Sequence, residues 1–341
     1  MRFRKLCNGR ALYVDDTVVW CARGMHFYSI DLNDRRKSKK IWTGSLFEKL
    51  LGSIRVTRQL LRIGIHHLIP LCDGSFFVVL KKRSLLLDKD GNVISVFKDY
   101  TGNKPGHRGV CRTPDGHIFF AEYSLNNNRK NDSHLFRSSD NGKSFNKILT
   151  FKGTEIRHFH FIQYDKYDKS LWLGTGDEDY ECKLLRSKNN GDTWETIGEG
   201  SQLWRAIGIS FTEDAVYWGT DAGSVPDPNY IVRMDRKSGE INKIKQVEGP
   251  CHGNASLIDG TVYVSTGVEG GENEQDHFAR LYSVRGNHIE LLFKEEKDIF
   301  PLLLQYGVIR LPQGMESTTR IIFTSYGLKN LGEAVFISYG E

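Results

Sequence analysis

The sequence has no run of apolar residues approaching 18, so it predicts no transmembrane helix. The basic N-terminus, Met1 to Lys5, is not followed by the apolar core of a secretory signal, and we therefore expect the protein in the cytoplasm. A strong excess of one charge is also missing, since 47 lysines and arginines stand beside 42 acidic residues. A net charge of +5 spread over 341 residues does not predict a nucleic-acid partner.

Cysteine pairs of the C-x-x-C type are absent too. The six cysteines are scattered along the chain: Cys7, Cys21, Cys72, Cys111, Cys182 and Cys251. An even number indicates disulfides only in a short secreted chain, so we expect free and mostly buried thiols in a reducing compartment. Proline is scarce, with 8 residues, whereas glycine (34 residues) and aromatic residues (11%) are plentiful. This composition argues against a disordered chain and against a helical bundle.

An internal repeat organises most of the chain. Each unit opens with a polar or aromatic residue, often histidine, and runs through an apolar stretch. It then turns at Asp-Gly or a similar pair and continues as a strand rich in aromatic and β-branched residues. The units start near positions 64, 106, 157, 204, 251 and 303, in steps of 42 to 52 residues. Four strands per unit at this period are typical of a propeller blade.

The repeat predicts an all-β chain that forms a single β-propeller domain of seven blades, each with four antiparallel strands. A six-bladed ring is the alternative. The predicted blades span residues 10–45, 64–100, 106–152, 157–198, 204–248, 251–297 and 303–340. Because the last blade is one strand short, we expect residues 2–6 to supply its outer strand and to close the ring.

The stretch around residues 45–62 breaks the repeat. Leu46, Leu50 and Ile54 have helical spacing, which predicts one short inserted amphipathic helix. We expect its apolar side to cover the ring. Binding to a membrane surface is the less favoured interpretation, because one short helix of mixed charge binds bilayers weakly.

Two segments share the pattern S-x-[D/N]-x-G-x-[T/S]-[W/F], one from Ser138 to Phe145 and one from Ser187 to Trp194. In such a turn the serine and the aspartate or asparagine accept hydrogen bonds from turn amides, and glycine takes the positive φ. The pattern resembles the Asp-box, or BNR repeat, of sialidases and related propellers, among them polysaccharide lyases. The resemblance implies a turn between the third and fourth strands of a blade, where Asp140 and Asn189 are structural.

In a propeller the first strand of each blade starts, and the second strand ends, at the same mouth of the central channel. The residues that open first strands are His66, His67, His107, Arg108, His158, His160, Trp204, Arg205, His252, Gln305 and Tyr306. The residues that end second strands are Glu122, Tyr123, Asp177, Asp221, Glu269 and Tyr326. A single histidine at a strand start is usually structural, but a histidine at this register in four blades favours a functional mouth.

These side chains suit three kinds of site: one that hydrolyses an acidic glycan, one that cleaves it by β-elimination, and one that binds a metal. Hydrolysis needs two carboxylates, and the candidates are Glu122, Asp177, Asp221 and Glu269. β-Elimination from a uronic acid needs a base, a neutralising cation and an acid, which histidine, arginine and tyrosine can supply. This division resembles propeller lyases, some of which bind a divalent metal through several histidines and a glutamine. The metal candidates are His107, His158, His160, His252 and Gln305.

We predict a carbohydrate-active enzyme that acts on an acidic glycan or oligosaccharide, with glycoside hydrolysis as the first interpretation. A β-eliminating polysaccharide lyase and a non-catalytic propeller that binds a glycan or a protein are the alternatives. The predicted catalytic residues are His107, His158, His160, His252, Glu122, Asp177, Asp221, Tyr306 and Tyr326. The predicted substrate-binding residues are His67, Arg108, Trp204, Arg205 and Glu269. We expect one pocket to contain His107, Arg108, His158, His160, Arg205 and His252.

Overall fold

Antiparallel strands make up nearly all of the regular structure in the computed structural model of the chain. The structure describes residues 1–222 and 227–339. Part of the blade predicted at 204–248 and the last residue of the blade predicted at 303–340 therefore lie outside the described residues. None of the described helices is long and apolar enough to cross a membrane.

The strands in the N-terminal half are β1 (Arg2–Asn8), β2 (Arg10–Asp15), β3 (Val18–Arg23), β4 (His26–Asp31), β5 (Ile41–Trp42), β6 (His67–Pro70), β7 (Phe76–Leu80), β8 (Arg83–Leu87), β9 (Val93–Phe97), β10 (Val110–Arg112), β11 (Ile118–Ala121), β12 (Ser133–Ser138), β13 (Asn146–Phe151) and β14 (His158–Asp165). Those in the C-terminal half are β15 (Ser170–Gly176), β16 (Lys183–Ser187), β17 (Glu195–Glu199), β18 (Ala206–Phe211), β19 (Ala215–Thr220), β20 (Asn229–Asp235), β21 (Ile241–Val247), β22 (Cys251–Ser256), β23 (Val262–Val268), β24 (Phe278–Arg285), β25 (His288–Glu296), β26 (Gly307–Arg310), β27 (Ile322–Tyr326) and β28 (Ala334–Tyr339). The helices are α1 (Leu46–Ser53) and α2 (Arg55–Leu61), with 3-10 turns at Asp179–Glu181, Gln202–Trp204 and Met315–Ser317.

The strands follow the order of a β-propeller. Five separate sheets each contain four consecutive strands: β2–β5, β6–β9, β10–β13, β14–β17 and β18–β21. The other eight strands form one sheet, because β23 pairs with β26 through Gly267–Val308 and Val268–Gly307. The all-β propeller with four-stranded blades is thus confirmed, and five blades stand as separate sheets. The number of seven stays a prediction.

Burial explains why the repeats form strands of different character. The second strand of a blade is covered on both faces, and all seven residues of β15 and of β23 are buried. The outer strand β25 instead has exposed and half-buried residues only. The close packing inside requires glycine at one point, since a Cβ atom on Gly174 would lie 2.1 Å from the Phe161 ring.

The chain divides into two compact units, residues 1–65 with 209–341 and residues 66–208. We call them the first unit and the second unit. The first unit has one core around Phe323 and Ile309 and another around Tyr217 and Val264. The second unit has a core of its own around Phe159.

The turns with the Asp-box spacing have the predicted geometry. The Ser138 hydroxyl oxygen accepts a hydrogen bond from the amide four residues later at 2.8 Å, and Asp140 accepts one from the Ser144 amide at 2.9 Å. The equivalent atoms of Ser187 and Asn189 each accept a hydrogen bond at 2.9 Å. The two glycines have φ values of +83° and +86°, and both turns join the third and fourth strands of a sheet. Membership of the Asp-box family stays a prediction.

The insertion differs from the single covering helix that we expected. It forms two helices that meet at Ile54, and the apolar side faces solvent, with Leu46 83% exposed and Leu50 65% exposed. The buried residues of α2 are instead Arg58 and Gln59. The prediction failed because the inward side of α2 is held by an ion pair rather than by apolar contacts.

That ion pair is part of a buried triad. Glu333 accepts from the guanidinium groups of Arg10 and Arg58, each at 2.5 Å, and all three side chains are almost fully buried. Burial alone would raise the pKa of Glu333, but the charges of Arg10 and Arg58 hold it below its usual value. The triad connects the start of β2, helix α2 and the residue before β28.

Glu333→Gln should destabilise the protein strongly, because it leaves two buried guanidinium groups without their shared counter-charge. We expect the free energy of unfolding at pH 7 to fall by about 3 to 5 kcal/mol, measured by urea denaturation. The depressed pKa means that this stabilisation is complete above about pH 4.3, the value in an unfolded chain, and is lost as the pH falls further. The difference between wild type and variant should therefore shrink in acid.

The matched control is Glu290→Gln, which changes an exposed glutamate of the same unit. It should leave the urea midpoint within experimental error. Equal stability of Glu333→Gln and wild type at pH 7 would contradict a stabilising role of the triad.

Candidate functional site

The residues predicted for the mouth lie in both units. The second unit contains His67, His107, Arg108, Glu122, His158, His160, Asp177, Trp204 and Arg205. The first unit contains Asp221, His252, Glu269, Gln305, Tyr306 and Tyr326. We expected one pocket to contain His252 together with residues of the second unit, and that pocket stays a prediction. Each unit has its own cluster of titratable side chains.

Among residues 1–222 and 227–339, two groups of three have ligand atoms within 4.8 Å of one another. The second-unit cluster is His158, His160 and Asp177, and the first-unit cluster is Asp221, His252 and Glu269. Each cluster thus contains at least one histidine from a first strand and a carboxylate that follows a second strand.

A β-bulge positions one histidine of each cluster. The pairing of β14 with β15 skips His160, and the pairing of β22 with β23 skips His252. Bulges redirect a side chain locally and are frequent beside active sites. The facing strand has glycine at this point, because a Cβ atom would lie 2.7 Å from His160 at Gly176 and 2.2 Å from His252 at Gly267. Sequence reasoning gave these two glycines no role, although each stands just before a predicted carboxylate, as Gly176-Asp177 and Gly267-Val268-Glu269.

Hydrogen bonds to the backbone orient both histidines of the second-unit cluster. Nδ1 of His158 lies 2.7 Å from the Ser124 carbonyl oxygen, and Nδ1 of His160 lies 3.0 Å from the Ala206 carbonyl oxygen. A carbonyl oxygen only accepts, so each Nδ1 must donate, and this leaves each Nε2 facing Asp177. The two Nε2 atoms lie 3.7 and 3.2 Å from the same oxygen of Asp177.

Charges fix the protonation of this cluster. Burial, with a smaller effect of His160, lowers the pKa of His158 to about 3, so His158 is neutral at pH 7. Burial alone would raise the pKa of Asp177, but His160, His158 and Arg205 hold it well below its usual range. The guanidinium groups of Arg157 and Arg205 lie 2.5 and 3.2 Å from the Asp177 carboxylate. Arg157 was not among the predicted residues, and it stands directly before His158.

The other predicted residues of the second unit have separate surroundings. Both carboxylate oxygens of Glu122 accept backbone hydrogen bonds, from Thr101 and His134, at 2.8 Å each. Burial raises the pKa of Glu122 against the effect of these amides. His67 is buried in β6. The Trp204 ring packs directly on Gly198, where a Cβ atom would lie 2.1 Å from it. The backbone of Arg108 bridges to Phe161 in β14, and His107 is half-buried beside it.

In the first-unit cluster, an imidazole and a carboxylate are paired. Nε2 of His252 lies 2.9 Å from Oε1 of Glu269, and Asp221 completes the group. The Tyr306 ring, 43% exposed, has its centroid 6.3 Å from that of His252. This places a solvent-accessible phenol next to a buried histidine–carboxylate pair.

The pKa values of both proton carriers in this cluster are raised. Burial alone would lower the pKa of His252, but the Glu269 and Asp221 carboxylates raise it above the ordinary histidine value. Partial burial and the charge of Glu269 raise the pKa of Tyr306, so the phenol keeps its proton at neutral pH. Positive charge acts on both groups, from Arg310 on His252 and from Arg62 on Tyr306.

The remaining predicted residues of the first unit are bound to arginines. The Tyr326 ring has the guanidinium groups of Arg10 and Arg310 5.0 and 5.3 Å from its centroid, and burial raises its pKa to about 12. The amide oxygen of Gln305 accepts two hydrogen bonds from Arg55, at 3.1 and 2.8 Å. Sequence reasoning missed these arginines, because Arg55 belongs to the inserted helices and Arg10 lies in another predicted blade.

The second-unit cluster fits a divalent metal better than the first. Nε2 of His158 is buried and has no hydrogen-bond partner, and two imidazole nitrogens that face one carboxylate oxygen call for a cation between them. A proton on His160 would meet the same need. A metal held there would act as a Lewis acid toward a sugar oxygen. In the first unit, Nε2 of His252 also makes no hydrogen bond of good geometry, but it lies 2.9 Å from a Glu269 oxygen with the Tyr306 phenol nearby, and this group is better suited to proton transfer.

No protein-family model matches the sequence, and no curated protein matches it either. Solved structures do match in fold. The chain aligns with an oligogalacturonate lyase in complex with manganese at 14% identity and a TM-score of 0.60, over 98% of this chain and 92% of that one. It aligns with the Cps50 (Swd1) β-propeller domain of Myceliophteria thermophila at 13% identity and a TM-score of 0.61, over the full length of both. The Pan2 WD40 domain of Neurospora crassa aligns at 9% identity and a TM-score of 0.57, over 99% and 90%. At these identities the likeness establishes the propeller fold alone.

Metal binding should depend on the second-unit cluster. We expect isothermal titration with Mn²⁺ and with Zn²⁺ to show one site in the wild-type protein. His160→Ala should weaken that site at least about tenfold, because it removes one of three ligands. His252→Ala and the exposed control His288→Ala should leave it unchanged. Loss of binding in His252→Ala with retention in His160→Ala would assign the metal to the other cluster.

Proposed function

We propose that the protein is a carbohydrate-active propeller that cleaves an acidic oligosaccharide by β-elimination at the first-unit cluster. The observation that carries this proposal is the exposed Tyr306 phenol next to His252, which Glu269 holds at 2.9 Å. A base oriented by a carboxylate and an acid that keeps its proton are the two groups that β-elimination requires.

The proposed reaction assigns one task to each side chain. Neutral His252 takes the proton from C5 of a uronic acid, and Glu269 stabilises the imidazolium that forms. The electron pair of the broken C5–H bond forms the C4–C5 double bond, and the C4–O bond breaks. Tyr306 donates its proton to the departing oxygen. The products are an unsaturated uronate and a new sugar end, so atoms and charge balance without a co-reactant.

The positive charges near the cluster support an acidic substrate. Arg310 acts on His252 and Arg62 acts on Tyr306, and the positive charge of both would offset a uronate carboxylate. Removal of the C5 proton builds negative charge next to that carboxylate. A nearby guanidinium group therefore favours the transition state over the bound substrate.

The choice of β-elimination over hydrolysis rests on the carboxylates. Asp177 is held by two guanidinium groups and Glu122 by two amides, so neither is well placed to exchange a proton. The remaining pair, Asp221 and Glu269, has oxygens within 4.8 Å, and this proximity supports hydrolysis as a second candidate. The oligogalacturonate lyase among the similar structures agrees with the first choice at the level of fold. The WD40 propellers among them keep a non-catalytic binding protein as an outcome of the test.

The finer fold and location also belong to the proposal. We take β22–β25 as one blade and β26–β28 with β1 as another, which gives seven with the five separate sheets. All six cysteines are free, and Cys7 and Cys21 stay unbonded with their sulfurs 3.6 Å apart. Unbonded neighbouring thiols support a reducing compartment such as the cytoplasm.

Activity should appear as an unsaturated product. We expect a tri-uronate substrate to give absorbance near 235 nm, and His252→Ala and Tyr306→Phe each to lower kcat by about 10² to 10⁴. His288→Ala, an exposed histidine outside the cluster, is the matched control. The base must be neutral, so the rate should rise with pH, with a midpoint above the ordinary histidine value of about 6.5.

Two other results would contradict β-elimination. New reducing ends without absorbance, lost in Asp221→Asn, would favour hydrolysis by the two carboxylates. Binding of the tri-uronate without any product, at every pH and with Mn²⁺ added, would favour a non-catalytic propeller.

A further inference from the structure

The first unit also contains a cavity that is lined by none of the residues of the proposed cluster. It is a cavity of about 610 Å³ between β1, β3, β4, the segment before β5 and helix α1. Its lining residues are Lys5, Leu6, Cys7, Asn8, Arg23, Gly24, Met25, His26, Tyr28, Lys37, Ser38, Lys40, Trp42, Lys49, Gly52 and Ser53. None of them belongs to the two titratable clusters. The volume is in the usual range for sites that bind small molecules.

The charge of this cavity has one sign. Its 16 lining residues include five cations (Lys5, Arg23, Lys37, Lys40 and Lys49) and no aspartate or glutamate. Across residues 1–222 and 227–339, these five side chains take part in no ion pair with a carboxylate. Five like charges around one cavity repel one another, and a bound anion would relieve that repulsion.

One wall of the cavity is aromatic. The Trp42 ring is 48% exposed, and its centroid lies 4.5 Å from that of His26. The Tyr28 ring stacks with His26 at a centroid distance of 6.1 Å, and Nζ of Lys49 lies 5.9 Å from the Trp42 centroid. A flat ring can therefore stack on Trp42 while charged groups of the same ligand reach the lysines.

Two titratable groups in the wall respond to the positive charge. Burial, with Lys40 and Arg23, lowers the pKa of His26 to about 4. The hydrogen bond with Cys21, followed by smaller effects of Tyr28, Lys37 and Lys5, lowers the pKa of the Cys7 thiol to about 7. The nearby cations add to both shifts, after the larger effects of burial on His26 and of the Cys21 hydrogen bond on Cys7.

We propose that this cavity binds a small organic phosphate, with the phosphate groups among the lysines and Arg23 and a flat ring on Trp42. Four of the five cations are lysines, which bind phosphate as point charges, and Arg23 can make paired contacts with it. The ring partner makes a nucleotide or a phosphorylated sugar a better fit than inorganic phosphate alone. The inference does not rest on the proposed β-elimination.

Isothermal titration with pyrophosphate and with adenosine triphosphate tests both parts of the site. We expect one site for each ligand, with affinity that falls as salt is added, because the contacts are charges at the surface. Lys37→Ala/Lys40→Ala should weaken both ligands by about tenfold or more, as expected from a loss of about 1.4 kcal/mol. Trp42→Leu should weaken the nucleotide several-fold and leave pyrophosphate unchanged.

The matched control is Lys89→Ala/Lys237→Ala, which removes two exposed lysines outside the cavity. It should bind both ligands as the wild type does, and an unchanged thermal midpoint for all variants shows that they are folded. The proposal is overturned if neither ligand binds, or if the cavity variant and the control lose affinity equally. It is also overturned if a tri-uronate binds here with the same sensitivity to Lys37→Ala/Lys40→Ala while both phosphates do not.

Discussion

The pairing of the first strand with the last is the constraint on which the rest of the first unit depends. β1 runs antiparallel to β28 from Arg2–Tyr339 to Asn8–Ala334, so the ends of the chain share one ladder. This register brings the Gly9 amide to the Glu333 carbonyl oxygen at 2.9 Å and sets Arg10 beside the Glu333 side chain. Glu333 then binds Arg58 and holds helix α2 in place. An edge strand that would otherwise be unpaired thus organises an ion triad, an insertion and one wall of the lysine-rich cavity.

The two titratable clusters show how a repeat can give different chemistry from the same backbone. In each, a bulged histidine on a first strand faces a glycine near the end of the second strand, and a carboxylate follows. The charged neighbours then decide the protonation. His160, His158 and Arg205 keep the Asp177 carboxylate ionised and burial keeps His158 neutral, whereas Glu269 and Asp221 favour a protonated His252. The backbone sets the positions of the imidazole rings, and the side chains around them set their function.

Much of the fold could be predicted from the sequence, because a blade is a local unit. The spacing of strands and turns, the Ser138 and Ser187 turns and the histidines at strand starts all depend on residues within about 50 positions of one another. Contacts between distant residues could not be predicted in this way. Arg58 and Glu333 are 275 positions apart, and no local pattern indicates that a basic residue of α2 is buried while Leu46 and Leu50 are exposed. Helical periodicity identified the helices, but it assigned the wrong side to the interior.

The same limit applies to charge. A net charge of +5 over the whole chain did not predict a nucleic-acid partner, and that sum describes only the average. The fold gathers five unpaired cations around one cavity in residues 5–49, and it sets Arg10, Arg58 and Arg310 around Glu333 and Tyr326. Electrostatic attraction acts over about 10 Å at moderate salt, so a ligand responds to this local arrangement and not to the sum. The proposed preference for anions therefore depends on where the folded backbone places these lysines and arginines, and not on the net charge of the chain.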